Sequence, residues 1–291
     1  MLSNWPPPQV TINPESMILG GISKYVMRMD FMLMSVALYV GIIHYMQPPP
    51  DKSSVSRVEA KRQNLEKKAG VKKSQNSPAF TAFVFLHNLF LAVYSGWTFT
   101  SSFPILISTI ANEGLINGFC DKNFTSWNSG LFELAYIFYL SKYYEIVDTV
   151  IILMKGRRSS TLQTYHHSGA IISMFAGVYS CPAAIFYFVI VNSFIHTIMY
   201  SYYALTSLGF SPPGKQYLTS MQITQFIFGI AYASTSIILP GCSNADQNLA
   251  TTVNLIYALP LLYLFVSFAV KMYGGDFMRL FSASPKKSKK N

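Results

Sequence analysis

Charge is scarce in this sequence. Asp, Glu, Lys and Arg make up 12% of its residues, against about 25% in a soluble globular domain. That deficit excludes an ordinary soluble fold. Acidic residues are the rarer sign: 12 Asp and Glu stand against 22 Lys and Arg, a formal net charge of +10. A cleavable leader is also missing. Met1 to Ser16 is polar and proline-rich, with no basic stretch followed by an apolar one. No repeat of solenoid type is evident. Histidine is sparse as well, at five in the whole chain, which leaves a di-iron site short of ligands.

What is present is apolar. Hydrophobic residues make up 51% of the chain and aromatics 15%. Long apolar runs predict an all-α, polytopic membrane protein of about seven transmembrane helices. The runs span roughly Val26 to Met46, Phe80 to Ile107, Gly130 to Met154, Ser160 to Tyr179, Ala183 to Leu208, Tyr217 to Leu239 and Thr252 to Met272. The fourth is the weakest, because Gln163, His166 and His167 lie in its first turns. One bundle uses the whole chain, so residues 1–291 read as a single transmembrane domain. Neither inverted repeats nor broken helices of the transporter kind are evident.

The basic residues orient the spans, because Lys and Arg mark cytosolic loops. They fall in the loop 48–78 (Lys52, Arg57, Lys61, Arg62, Lys67, Lys68, Lys72, Lys73), after the third run (Lys155, Arg157, Arg158) and in the tail 274–291 (Arg279, Lys286, Lys287, Lys289, Lys290). These are alternate loops, as seven spans require. The amino-terminal segment 1–25 is then lumenal and the carboxyl terminus cytosolic, although Lys24 and Arg28 sit on the wrong side. Asn123, in Asn-Phe-Thr, becomes a glycosylation acceptor in a lumenal loop. All three cysteines fall on that side too, and Cys120 with Cys242 is the expected disulfide, since Pro182 and a short turn hold Cys181 at the membrane surface. The positive charge flanks spans without aromatic interleaving, so nucleic acid is not a partner.

Against this background stands a set of polar residues. Lys142, Glu145, Asp148 and Thr149 fall within about a third of a helix circumference. Gln163, His166 and His167 share an arc in the next run, and Asn192, His196, Met199, Tyr200 and Tyr203 share one in the fifth. In the sixth, Thr219, Gln222 and Gln225 follow at spacings of three. One such stripe would serve helix packing. Four, near the cytosolic ends of successive spans, point to a common polar chamber. Imidazole acting as base or nucleophile, supported by amide, carboxylate and phenol groups, suits acyl transfer. A metal-dependent membrane lipid desaturase or hydroxylase and a seven-span receptor are the alternatives.

These residues resemble the ELO family of very-long-chain fatty acid elongases, closely over Trp127 to Phe226. Lys142, Glu145, Asp148 and Thr149 fit its Lys-x-x-Glu-x-x-Asp-Thr pattern. Asn192, His196, Met199, Tyr200, Tyr202 and Tyr203 fit Asn-x-x-x-His-x-x-Met-Tyr-x-Tyr-Tyr, and Thr219, Gln222 and Gln225 fit Thr-x-x-Gln-x-x-Gln. One position departs: Gln163 stands first in the His-x-x-His-His box, as in protist and algal elongases of C18 polyunsaturated chains. Gln can hydrogen-bond there but cannot titrate.

The resemblance implies a very-long-chain 3-oxoacyl-CoA synthase of the endoplasmic reticulum membrane. It would join a long-chain acyl-CoA to malonyl-CoA and give 3-ketoacyl-CoA, carbon dioxide and CoA. The helices would enclose an acyl-chain pocket. His166 would be nucleophile or base, with His196, His167 and Gln163 completing the catalytic set. Lys142, Glu145, Asp148, Thr149, Asn192, Tyr200, Tyr203, Gln222 and Gln225 would bind substrate. Lys155, Arg157 and Arg158 would meet CoA phosphates. No cofactor and no metal is expected. The ketoreductase, dehydratase and enoyl reductase of the elongation cycle are the implied partners. Lys287 and Lys289 fit a dilysine retrieval pattern that agrees with the reticulum.

Overall fold

The computed structural model describes residues 5–49 and 77–281. Among these there is no strand; the chain is a succession of helices. That follows from the apolar runs, since a segment immersed in lipid must satisfy its own backbone polar groups. One turn, α1 (Ser23–Val26), leads into α2 (Met29–Met46). After the basic loop come α3 (Pro78–Glu113) and the short α4 (Leu115–Cys120). A wide turn, Trp127–Leu131, opens α5 (Phe132–Tyr144) and α6 (Ile146–Met154). Then follow α7 (Thr161–Ser180), α8 (Ala183–Ser207), α9 (Lys215–Ile238) and α10 (Ala245–Phe281). Five of them, α2, α3, α8, α9 and α10 as far as Gly274, are long and apolar enough to cross a membrane.

The third apolar run is broken, which corrects the reading of an uninterrupted helix. Helices α5 and α6 meet at Glu145, and the Asp148 N–H closes a tight bond of 3.0 Å to the Glu145 carbonyl. Neither proline nor glycine sits there. The break is held by side chains, with Glu145 engaged by Lys142 and Asp148 engaged by α3 and α8. Hydropathy also misplaced one helix start. Helix α10 begins at Ala245 because Asn244 and Gln247 cap it reciprocally, at 3.0 and 2.9 Å.

Of the five long apolar helices, α8 is the most enclosed. It packs along α3 and beside α9, while α7 touches α2, α5 and α10. Apolar side chains on the outer face of α2, among them Met34, Leu38 and Ile42, stay exposed. They form the face that lipid covers.

One end of the bundle is tied by a disulfide between Cys120 and Cys242, with Cα atoms 4.7 Å apart. Cys181 is a buried free thiol nearby in sequence to α8. In the same end turn, Asp121 accepts the backbone N–H groups of Ser126 and Trp127 at 2.9 and 3.3 Å. Burial pushes its carboxyl above the ordinary range, and these bonds oppose the shift. Asn123 is exposed, with its amide 3.4 Å from Glu113. The amino-terminal residues fold against this end. The Trp5 indole rests on Phe132 and Tyr136 and donates to the Val178 carbonyl at 3.2 Å. Tyr136 and Tyr139 donate to the carbonyls of Leu19 and Val26.

At the other end, Gln47 and Ser159 exchange two hydrogen bonds of 3.1 Å. The cationic residues Lys52 to Lys73 of the loop 48–78, and the tail lysines Lys286 to Lys290 with their dilysine pattern, lie outside the described residues.

Candidate active site

The break at Glu145 places opposite charges on either side of one turn. Lys142 Nζ lies 2.6 Å from Glu145 Oε1, and both side chains are only 3% exposed. The ammonium also sits 3.8 Å from the centre of the Phe138 ring. His196 approaches from α8, with Nδ1 4.0 Å from the same carboxylate oxygen.

Past the break, the chain turns its next polar groups to other helices. Asp148 receives His87 Nε2 from α3 at 2.9 Å and the Tyr200 hydroxyl from α8 at 2.8 Å. Tyr144 adds a hydroxyl 3.3 Å from His87 Nδ1. Thr149 Oγ1 meets the Tyr39 hydroxyl at 3.0 Å and Gln163 Nε2 at 3.4 Å. Gln163 Nε2 lies 2.8 Å from His167 Nε2, so the amide donates and the His167 proton belongs on Nδ1.

His166 turns the other way on α7. Its Nδ1 is 3.0 Å from the hydroxyl of Tyr257 on α10, and that hydroxyl donates to the His166 carbonyl at 3.1 Å. A phenol has one hydrogen. Spent on the carbonyl, it leaves the oxygen to accept from Nδ1–H, and Nε2 then carries the free lone pair. Close approach of the ring depends on Gly169, where a methyl group would overlap the Tyr257 ring.

The remaining residues singled out from the sequence divide into two groups. Asn192 is buried one turn from His196, with an Oδ1 that has no protein partner. Gln222 Nε2 reaches Met199 Sδ at 3.2 Å, and Gln225 is buried where α7, α8, α9 and α10 line a small cavity. Tyr203 stands edge-on to Tyr200 and is 40% exposed. Lys155, Arg157 and Arg158 lie apart from the histidines, exposed beyond the end of α6, with the Arg158 guanidinium donating to the Pro48 carbonyl. Partial burial, and then the Arg157 charge, lower the Lys155 ammonium. Among the described residues, no group of three or more His, Cys, Asp and Glu is placed to hold a metal ion.

Four members of the network carry no mark in the sequence reading: His87, Tyr39, Tyr144 and Tyr257. His87 lies on α3, apart in the chain from the polar stripes. Its signal was the buried face Val84, His87, Asn88 and Leu91, spaced as one side of a helix. Tyr39, Tyr144 and Tyr257 carry no local signal among 19 tyrosines.

A bundle with a polar centre of this kind defines a membrane-embedded enzyme site, and the comparisons say which family builds it. Residues 25–287 match the model of the ELO family, the GNS1/SUR4 family, and the chain belongs to that family. It is 28% identical to fatty acid elongase sre1 of Dictyostelium discoideum, over 63% of this chain and 69% of that protein. It is 30% identical to fatty acid elongase 2 of Trypanosoma brucei brucei, over 64% and 73%. It is 32% identical to long chain fatty acid elongase 1 of Caenorhabditis elegans, over 64% and 66%.

Proposed function

We propose that this protein is the condensing enzyme of fatty acid elongation, a 3-oxoacyl-CoA synthase that extends a long-chain acyl-CoA with malonyl-CoA. The observation that carries the chemistry is the His166–Tyr257 pair, which leaves the lone pair of an imidazole Nε2 free. His166 Nε2 attacks the thioester carbonyl, the carbon–sulfur bond breaks, and CoA leaves as the thiol with the proton that Nδ1 gives up. Malonyl-CoA then loses carbon dioxide, and the electron pair remains as an enolate. The enolate carbon attacks the acyl-imidazole carbonyl and expels imidazolate, which takes up one proton from solvent at Nδ1, giving a 3-ketoacyl-CoA two carbons longer. The Nδ1–H of His167, with the ring held by Gln163, and the amide N–H of Asn192 steady the developing negative charge. Glu145 and Lys142 place His196 on the facing side.

Lys155, Arg157 and Arg158 meet the CoA phosphates at the mouth. Water-soluble CoA substrates reach that mouth from the cytosol, so the opposite, disulfide-tied end faces the lumen of the endoplasmic reticulum. In this reading α7 and the jointed pair α5–α6 also cross the bilayer, making seven spans, and Asn123 is a lumenal glycosylation site. The 3-keto product requires a ketoreductase, then a dehydratase and an enoyl reductase. No metal enters any step.

The test uses purified full-length protein with a long-chain acyl-CoA and malonyl-CoA labelled in its methylene carbon. The label is expected in 3-ketoacyl-CoA, with one carbon dioxide released per product. His166→Ala and His196→Ala should remain folded and form none. Near-normal turnover in both variants overturns the assignment.

A further inference from the structure

Of the five histidines, His166, His167 and His196 enter the proposed reaction, and His44 is exposed near the end of α2. His87 on α3 remains, and its side chain is fully buried. Its Nε2 lies 2.9 Å from Asp148 Oδ1. A carboxylate accepts and does not donate, so the imidazole hydrogen belongs on Nε2. Nδ1 then accepts from the Tyr144 hydroxyl at 3.3 Å. The other carboxylate oxygen, Oδ2, accepts from the Tyr200 hydroxyl at 2.8 Å.

Asp148 is therefore spent on the protein. Each of its oxygens holds a donor from another helix, one from α3 and one from α8. Its charge would also repel the malonyl carboxylate and the CoA phosphates, which carry the same sign. What it holds is Tyr200, whose ring stands edge-on to His196 one turn away on α8, with centroids 5.4 Å apart and planes at 82°. Tyr200 is buried in a cluster with Leu91 and Ala92, one turn beyond His87 on α3. His196 in turn keeps Nδ1 4.0 Å from Glu145 Oε1. One imidazole is thus bounded by the Tyr200 ring and by a carboxylate. Both constraints start from a single turn, because the Asp148 N–H bonds the Glu145 carbonyl at 3.0 Å.

We infer that His87 is a positioning residue for the condensation: by fixing Asp148, and through it Tyr200, it holds the His196 ring in its working orientation. The inference rests on the elongase reading. It turns Asp148 and Tyr200 away from the substrate and toward the catalytic imidazole. Without the His87 donor, Asp148 keeps an unpaired oxygen in a largely buried place. The carboxylate turns to another donor, and the Tyr200 hydroxyl goes with it.

The experiment measures kcat and the Michaelis constants for acyl-CoA and malonyl-CoA on purified full-length protein. His87→Phe keeps a ring and removes both nitrogens. It should lower kcat by about thirtyfold, with both Michaelis constants within about twofold of wild type. His87→Gln returns an amide donor near the place of Nε2 and should bring kcat to within about threefold of wild type. Tyr200→Phe should lower kcat as His87→Phe does. The double variant should be no slower than the slower single one, since both act through Asp148. Should His87→Phe fail to fold, His87→Asn takes its place. Its shorter amide stops short of Asp148, and its kcat should lie about tenfold below that of His87→Gln. Wild-type kcat in His87→Phe overturns the inference, as does a His87→Gln variant as slow as His87→Phe or His87→Asn. Additive losses in the double variant overturn it too. A loss confined to the Michaelis constants also overturns it, by making Asp148 a substrate ligand. A wild-type protein that forms no 3-ketoacyl-CoA brings down the elongase reading instead.

Discussion

The Tyr257 hydroxyl lies 3.0 Å from Nδ1 of His166 and 3.1 Å from the carbonyl oxygen of the same residue. One phenol thereby fixes both the position of an imidazole and the nitrogen that holds its proton. The two residues are 91 positions apart in the chain and are brought together by the packing of α10 on α7.

Tyr257→Phe tests this pair. Loss of the hydroxyl frees the ring to rotate and to take either tautomer, so kcat should fall by about a hundredfold. The Michaelis constant for acyl-CoA should change little, because the hydroxyl acts on His166 and not on the chain. Steady-state kinetics on the purified variant separates the two constants. An unchanged kcat would show that His166 needs no such partner. Gly169→Ala should lower kcat in the same direction by displacing the ring, with an overpacking cost of about 1–3 kcal/mol in stability.

Gln163 binds His167 at 2.8 Å and also reaches Thr149, so it works as a strut between two helices. A strut can be replaced by another side chain that hydrogen-bonds. Gln163→His should keep at least a tenth of the wild-type rate, while Gln163→Ala should fall about tenfold further, in line with removing a group that orients a catalytic base. The labelled malonyl-CoA assay compares them directly. Full activity in the alanine variant would make the side chain dispensable.

How much of this site the sequence disclosed depended on whether a residue's role was local. Lys142 and Glu145, or Gln163 and His167, meet across one helical turn, and their spacing alone announced them. The polar stripes also revealed which helices face the centre. The joint at Glu145 was invisible, because it lacks proline and glycine and is held by contacts from α3 and α8 that no local pattern encodes. His87 and Tyr257 were overlooked for the same reason: their partners, Asp148 and His166, lie far away in the chain. The capped start of α10 was missed in hydropathy because its first turns are polar, although Asn244 and Gln247 did spell out the cap.

The Lys142–Glu145 pair predicts an asymmetry in stability. Both side chains are buried, so removing one leaves the other charge uncompensated. Lys142→Met should destabilise the protein by about 3–5 kcal/mol, whereas Lys142→Met combined with Glu145→Leu should recover most of that loss. Activity should stay absent in both, since His196 loses its neighbour. Thermal unfolding in detergent, followed by tryptophan fluorescence, measures the first part. A single variant as stable as the double one would mean that the pair is not desolvated.

The bond between Cys120 and Cys242 spans 122 positions and joins the last residue of α4 to the turn after α9. The same two helices also meet where the Tyr232 hydroxyl of α9 donates to the Phe119 carbonyl of α4 at 2.6 Å. Closing so long a loop restricts the unfolded chain, and replacing both cysteines by serine should cost about 2–5 kcal/mol. The loss should appear as a lower thermal midpoint, with the acyl-transfer rate below that midpoint nearly unchanged, because the histidines lie several turns away along α7 and α8. Reduction of the wild type should reproduce the serine variant. Peptide mapping without reduction checks the chemistry itself. If Cys120 and Cys242 are both alkylated as free thiols in protein taken from the reticulum, the bond is absent there, and the assignment of this end of the bundle to the lumen loses its support.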